Sequence, residues 1–181
     1  MTREEFLQEI RETVMTLWED FQILPSIAAA QAAHESGNGQ SDLAQNGNAL
    51  FGIKVANGVC DGPGEPVSFD DPSWTGDVIC HLTWEHIDGE DIQVYDTFRI
   101  YDSWGASIQD YADYLHVRGL YDAVIGETDY LVAAQALFDA GYATDPNYVE
   151  RITTLIEEYQ LTDWDEEALS ASGGSEGATS C

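Results

Sequence analysis

The chain has 181 residues, 44% of them hydrophobic and 22% charged, which fits one globular domain with a core of ordinary size and leaves too little length for two. Its 34 acidic residues against 6 basic ones give a formal net charge of -28, so a phosphate backbone would be repelled and nucleic acid is excluded as a partner. No stretch approaches the roughly 20 apolar residues of a membrane span, and Arg3, Glu4, Glu5, Glu9, Arg11 and Glu12 stand where an export signal would be apolar.

Phe6, Ile10, Val14, Leu17 and Phe21 recur at steps of three and four, which predicts an amphipathic helix over residues 3–21. Pro25 opens a second helix whose alanine-rich run, Ile27 to Ser36, requires close packing on all sides and stops at Gly37. Residues 37–74 are rich in Gly, Asn, Asp and Pro and read as a long loop, with a short helical turn at 41–44 and an apolar knot at Leu50-Phe51-Gly52-Ile53. A β-hairpin follows, residues 78–87 and 92–101, joined through Asp88-Gly89. Alternation puts Val78, Cys80, Leu82 and Trp84 on one face and Ile79, His81, Thr83 and Glu85 on the other.

Three more helices are expected: one after Ser103 or Ser107 carrying Ile108, Tyr111 and Leu115, one over residues 130–140 ending at Gly141, and one from Asp145-Pro146 carrying Tyr148, Ile152, Leu155 and Tyr159. The domain therefore spans residues 1–162. Residues 163–181, acidic and then Gly/Ser-rich, read as a flexible tail. Cys60 and Cys80 flank a Gly/Pro-rich stretch that a bridge would clip closed, with the pairing left open, and Cys181 ends the tail. Cys80, His81 and His86 are not expected to hold a metal, because neighbours on a strand point to opposite faces.

Glu35 is the residue with the clearest chemical promise. It closes an otherwise apolar helix, where burial and the negative end of the helix dipole both oppose ionisation and keep a carboxyl protonated for use as a general acid. Glu85 shares its strand face with Thr83 and His81, a polar setting that favours the ionised form and supplies a second carboxyl of opposite character. Tyr142 follows the helix stop Gly141 and is held at a corner from which its hydroxyl can donate.

A series of short words runs through the chain in order: Ile23-Leu24-Pro25-Ser26, Glu35-Ser36-Gly37, Asn48-Ala49-Leu50-Phe51-Gly52-Ile53-Lys54, Trp74-Thr75-Gly76, Phe98-Arg99-Ile100-Tyr101, and Gly141-Tyr142-Ala143-Thr144-Asp145-Pro146. Together they resemble the glucosaminidase family of peptidoglycan hydrolases, glycoside hydrolase family 73, over residues 3–161. The resemblance implies a lysozyme-like α+β fold, a mainly helical lobe and a small β-hairpin lobe with a substrate groove between them. It also implies hydrolysis of the β-1,4 bond between N-acetylglucosamine and N-acetylmuramic acid by an endo-β-N-acetylglucosaminidase. Glu35 then maps onto the catalytic acid, Glu85 in Thr83-Trp84-Glu85 onto the second glutamate, and Tyr142 onto the site tyrosine.

Asn48, Phe51, Gly52, Trp74 and Tyr101 are expected to bind substrate, the aromatic rings as sugar platforms. Lys54 and Arg99 are candidates for holding an anionic lactyl or peptide carboxylate. The expected partner is peptidoglycan or a related N-acetylhexosamine glycan, met at the cell wall by a monomer, in a secreted or virus-associated setting, without cofactor or metal. A lytic transglycosylase and a catalytically degenerate glycan-binding or virion-structural module are the rival readings. Two departures bear on substrate: Asn38 stands where the family commonly has an aromatic residue, and residues 56–71 resemble an insertion able to reshape the cleft. The acidity points to adaptation to salt, which shortens the Debye length from about 10 Å at 0.1 M to about 3 Å at 1 M and relieves self-repulsion.

Overall fold

A computed structural model describes residues 1–173 except Asp88 and Arg118, with the side chains of residues 85–87 and 91 also outside the described set. Among the described residues seven helices and one two-stranded sheet make the α+β arrangement expected from the sequence. In chain order these are α1 (Arg3–Phe21), α2 (Pro25–Glu35), α3 (Asp42–Gly47), β1 (Val78–Ile87), β2 (Glu90–Arg99), α4 (Trp104–Val117), α5 (Tyr130–Asp139), α6 (Tyr148–Glu158) and α7 (Thr162–Gly173).

Helix α1 starts on a capping box between Thr2 and Glu5 and buries Phe6, Leu7, Ile10, Val14, Leu17 and Trp18. Helix α2 is the axis of the body. All of its residues from Pro25 to Ala33 are buried, and α1, α5, α6 and α7 pack around it, an approach its alanines permit because they add little bulk between helix axes. Pro25 occupies its first turn, but Leu24 supplies no side-chain cap. The cap comes from far along the chain: Asp165 Oδ1 accepts the Ser26 N–H at 2.8 Å.

That contact corrects the expectation of a flexible tail from residue 163. Residues Thr162–Gly173 form α7, which buries Trp164, Asp165 and Ala168 against α1 and α2. The apolar stripe of this helix is short and set among acids that face solvent, so composition hides it. Arg11 of α1 holds it from outside, pairing with Glu167 and lying 5.5 Å from the Trp164 ring centre. Residues 174–181, including Cys181, lie outside the described residues.

The hairpin register pairs Ile87 with Glu90 and Val78 with Arg99. Strand β2 thus lies two residues earlier than the alternation of residues 92–101 predicts. Past Arg99 the chain leaves the sheet, because the Ile100 N–H bonds to Asp77 O at 3.1 Å and the Tyr101 N–H to Gly47 O at 2.8 Å. On its free side β2 receives residues 53–55: Arg99 N–H donates to Ile53 O at 2.9 Å and Val55 N–H to Thr97 O at 3.1 Å. Cys60 and Cys80 are bridged, Cα to Cα 5.8 Å, tying the loop to β1 across 20 residues of sequence. Closing a loop of that length stabilises a fold by about 3 kcal/mol. Cys80 accordingly has no thiolate to offer a metal.

Beneath the hairpin, the Arg99 guanidinium is 2% exposed and bonded to Asp71 and Ser73 through one nitrogen and to Asp110 through the other. Burial works against ionised Asp71, but hydrogen bonds from Ser73, Ala56 and Arg99 outweigh it and hold its carboxyl well below the usual range. This cluster fastens residues 71–73 and the end of β2 to α4.

Candidate functional site

Glu35 is the last residue of α2, and the chain turns away from it at once. Gly37, Asn38 and Gly39 all take left-handed conformations, with φ of 57°, 60° and 71°. Ser36 locks the corner: its hydroxyl donates to Ala32 O at 2.6 Å and accepts the Gly39 N–H at 2.7 Å. A Cβ on Gly39 would lie 2.6 Å from the Trp104 ring, so this residue is fixed both by backbone and by space. Asn38 bonds through Oδ1 to Arg3 Nε at 2.8 Å and is not in the cleft lining, so its difference from the family pattern falls on the α1 side of the corner.

The corner leaves the Glu35 carboxyl beside a cleft of about 400 Å³. Glu35 is an exposed residue, open to water from the cleft, but protein crowds its carboxyl on the other sides, and this desolvation pushes its pKa up from 4.5 to about 7. The opposite wall is the strip from Phe51 to Ala56 that pairs with β2, and Tyr114, Tyr121, Gly141 and Tyr142 close the remaining side.

Tyr142 sits where the sequence predicts. Its N–H donates to Leu137 O at 3.1 Å after the Gly141 turn, whose φ is 82°. Its ring is boxed by Tyr111, Tyr121 and Tyr148 at centroid distances of 6.4, 6.1 and 6.1 Å. The Tyr142 hydroxyl is buried with no hydrogen-bond partner among the described residues. Burial first, and the nearby Glu35 second, hold its pKa well above the ordinary value, so it keeps its proton. The floor below is built from α2 itself. Gln31, one turn before Glu35 and fully buried, accepts from the Tyr111 hydroxyl and donates to the Tyr148 hydroxyl at 2.5 Å.

Of the five expected substrate-binding residues, Phe51 and Gly52 reach this cleft. Phe51 is 6% exposed and stacked on Tyr111 at 4.1 Å, so it is chiefly a packing residue with one edge in the lining. Gly52 has φ of 57° and open space on its Cβ side.

The other three lie elsewhere. Asn48 is the left-handed cap of α3, and its amide donates to Tyr101 O at 2.8 Å. Trp74 and Tyr101 meet edge to face at 5.4 Å beside a separate hollow of about 340 Å³. Tyr101 spends its hydroxyl on Asp110 at 2.7 Å, and Trp74 covers the Arg99 guanidinium at 5.0 Å. Arg99, enclosed by its partners, is a structural ion and not a cleft cation. Lys54 does line the cleft.

Position 85 lies in β1 opposite Ile92, but its side chain is outside the described residues. Residues 56–71, read as an insertion able to reshape the cleft, are tied to β1 by the Cys60–Cys80 bridge and paired within themselves at Val59–Ser68, and Ala56 alone of that segment lines the cleft. Tyr114, Tyr121 and Gln31 are site residues that the sequence reading missed. The signals were present, a polar Gln31 inside an alanine run and tyrosines three apart on α4, yet each equally fits a packed core.

Fold and cleft together define a lysozyme-like α+β domain, a helical body and a small sheet with a trench at their junction. The chain belongs to the glucosaminidase family: the family described as mannosyl-glycoprotein endo-beta-N-acetylglucosaminidase matches residues 11–161. Among curated relatives, the exo-glucosaminidase LytG of Bacillus subtilis is 33% identical over 89% of this chain and 53% of its own length. The peptidoglycan hydrolase FlgJ of Escherichia coli K12 is 36% identical over 71% of this chain and 38% of its own. The chain thus spans about half or less of these relatives. Among solved structures, the catalytic domain of the Listeria monocytogenes autolysin Auto superposes with a TM-score of 0.73 at 28% identity, covering 90% of this chain and 86% of that one.

Proposed function

We propose that this domain hydrolyses peptidoglycan as an endo-β-N-acetylglucosaminidase, cleaving the β-1,4 bond from N-acetylglucosamine to N-acetylmuramic acid. The observation that carries the reading is the carboxyl of Glu35, raised to about 7 by burial and set at the mouth of a cleft beside the unpartnered hydroxyl of Tyr142. A carboxyl protonated near neutral pH gives its proton to the departing glycosidic oxygen. Tyr142, neutral and with an unspent O–H, donates to the reacting sugar and holds it against Glu35. Glu85, carried by the hairpin, is the second carboxylate. Its separation from Glu35 sorts the chemistry, about 5–5.5 Å for a retaining nucleophile and about 6.5–9.5 Å for a base acting through water.

The protein acts at the cell wall as a monomer, and its bridged cysteines suit an oxidising setting outside the cytosol. The test is the Glu35→Gln variant on purified peptidoglycan, read by release of reducing ends and by mass spectrometry of the products. Removing a general acid lowers the rate by about 10²–10⁴-fold with the fold intact, and near-normal release would refute the assignment. The same spectra identify the reaction: N-acetylglucosamine at the new reducing end supports hydrolysis as proposed, whereas an anhydro sugar would mark a transglycosylase. Chain-internal fragments mark endo cleavage, and single sugars removed from an end mark exo cleavage.

A further inference from the structure

Gln31 and Ser26 are the two polar side chains in the buried run from Pro25 to Ala33 of α2. Burying a primary amide on a packed helix face costs free energy unless both of its ends are bonded. Here both are: the Tyr111 hydroxyl donates to Gln31 Oε1, and Gln31 Nε2 donates to the Tyr148 hydroxyl at 2.5 Å. The oxygen of an amide only accepts and its nitrogen only donates, so the two phenols are not equivalent. Tyr111 has spent its proton on Gln31. Tyr148 receives a hydrogen from Gln31, and its own proton meets no acceptor among the described residues.

That proton lies beside the acid. Gln31 and Glu35 are four residues apart on α2 and share a face, one turn from each other. Tyr148, the first residue of α6 and 1% exposed, meets the His34 ring edge-on at 6.1 Å and lies 6.1 Å from Tyr142, which lines the cleft with Glu35. Burial first, with the Glu35 charge among the further causes, pushes the pKa values of Tyr111, Tyr142 and Tyr148 upward, so these phenols keep their protons at neutral pH. The His34 beside them is held below its ordinary value, chiefly by burial. Desolvation is what raises the pKa of Glu35, with no hydrogen bond contributing, so its carboxyl has acceptor capacity to spare.

Resting on the function proposed above, we propose that Gln31 is a positioning residue: by donating to the Tyr148 oxygen it keeps that phenol's proton unspent, and Tyr148 gives a hydrogen bond to the Glu35 carboxylate that forms when the acid has passed its proton to the glycosidic oxygen. No proton leaves Tyr148. The hydrogen bond forms as negative charge appears in a desolvated corner, where a charge-assisted contact is stronger than a neutral one. Tyr142 keeps its separate task of donating to the sugar.

The test compares wild type with Tyr148→Phe, Tyr111→Phe and Gln31→Met, using melting curves to confirm folding and carbon-13 titration of Glu35 without substrate. Tyr148→Phe removes a donor to the ionised form, so the Glu35 midpoint rises by about one pH unit, and kcat on peptidoglycan falls roughly tenfold with KM little changed. Gln31→Met frees the Tyr148 hydroxyl to turn toward Tyr111 and moves both quantities the same way. Tyr111→Phe leaves the midpoint at the wild-type value, because that proton is already committed to Gln31. Any further charge near the cleft is common to all four proteins and cancels in the comparison. A merely structural network would lower the melting temperature of the variants and leave the midpoint fixed. An unmoved midpoint in Tyr148→Phe, an equal rise in Tyr111→Phe, or an unmoved midpoint in a folded Gln31→Met would overturn the proposal. If Gln31→Met does not fold, the contrast between the two phenylalanine variants decides, since the direction of the amide is what makes them unequal. A wild type that releases no reducing ends would sink the functional reading separately, because the midpoints are read without turnover.

Discussion

Replacing Tyr142 with Phe removes one oxygen atom and should move stability and activity in opposite directions. The hydroxyl is buried without a hydrogen-bond partner among the described residues, and a buried polar group in that state costs about 1–3 kcal/mol. The ring that remains keeps its packing against Tyr111, Tyr121 and Tyr148. The variant is therefore expected to unfold at a higher temperature, by about 2–12 °C for a domain of this size at roughly 2–4 °C per kcal/mol. Activity should fall, because the same hydroxyl is the donor assigned to the reacting sugar; losing such a contact in the transition state costs roughly 10–100-fold in kcat/KM. Calorimetry and reducing-end release on one preparation give both numbers. A lower melting temperature would show that the hydroxyl is satisfied in the fold, and unchanged activity would remove Tyr142 from the site.

Four further outcomes follow from other parts of the molecule. If Glu35 is the general acid proposed above, it works protonated, and with burial raising its pKa to about 7 activity should decline as pH rises through about 7. The folded state holds that proton more tightly than the unfolded chain, so wild type should lose stability relative to Glu35→Gln as pH rises from 4.5 to about 7, and melts at the two ends of that range check the sign. Asp165→Ala leaves the Ser26 N–H at the start of α2 without its cap and should lower stability by about 1–3 kcal/mol, read by chemical denaturation; no change would place α7 outside the fold. The melting midpoint should rise with NaCl up to molar concentration, since screening relieves a net charge of -28, and a flat or falling curve would end the salt argument.

Most of the helical body could be read from the sequence because its signals are local. The three- and four-residue steps of α1 and the proline-to-glycine span of α2 each follow from their own residues. The failures are non-local. Helix α7 shows few apolar residues among acids and becomes evident only as the surface that covers the uncapped end of α2. The alternation through Ile100 and Tyr101 continues a strand pattern, yet their N–H groups go to Asp77 and Gly47, which no period within β2 could disclose.

The site divides in the same way. The positions of Glu35 and Tyr142 were legible from a helix end and a helix stop, features with one mechanical consequence each, while the roles proposed for them came from the family resemblance. Trp74, Tyr101 and Asn48 belong to words that also build the hairpin base, and spacing along the chain does not say which hollow a ring will face. Lys54 and Arg99 are equal in formal charge, but Arg99 is buried between two carboxylates, whereas Lys54, paired with Asp96, lies at the cleft wall.

The ionisation of Glu35 itself is the most direct test of the catalytic reading. Selective carbon-13 labelling of glutamate, with the Glu35 signal assigned by its loss in Glu35→Gln, allows that carboxyl to be titrated in the folded protein. The account predicts a midpoint at about 7. A midpoint near the ordinary 4.5 would mean a well-hydrated carboxylate, ionised at neutral pH and without a proton to give.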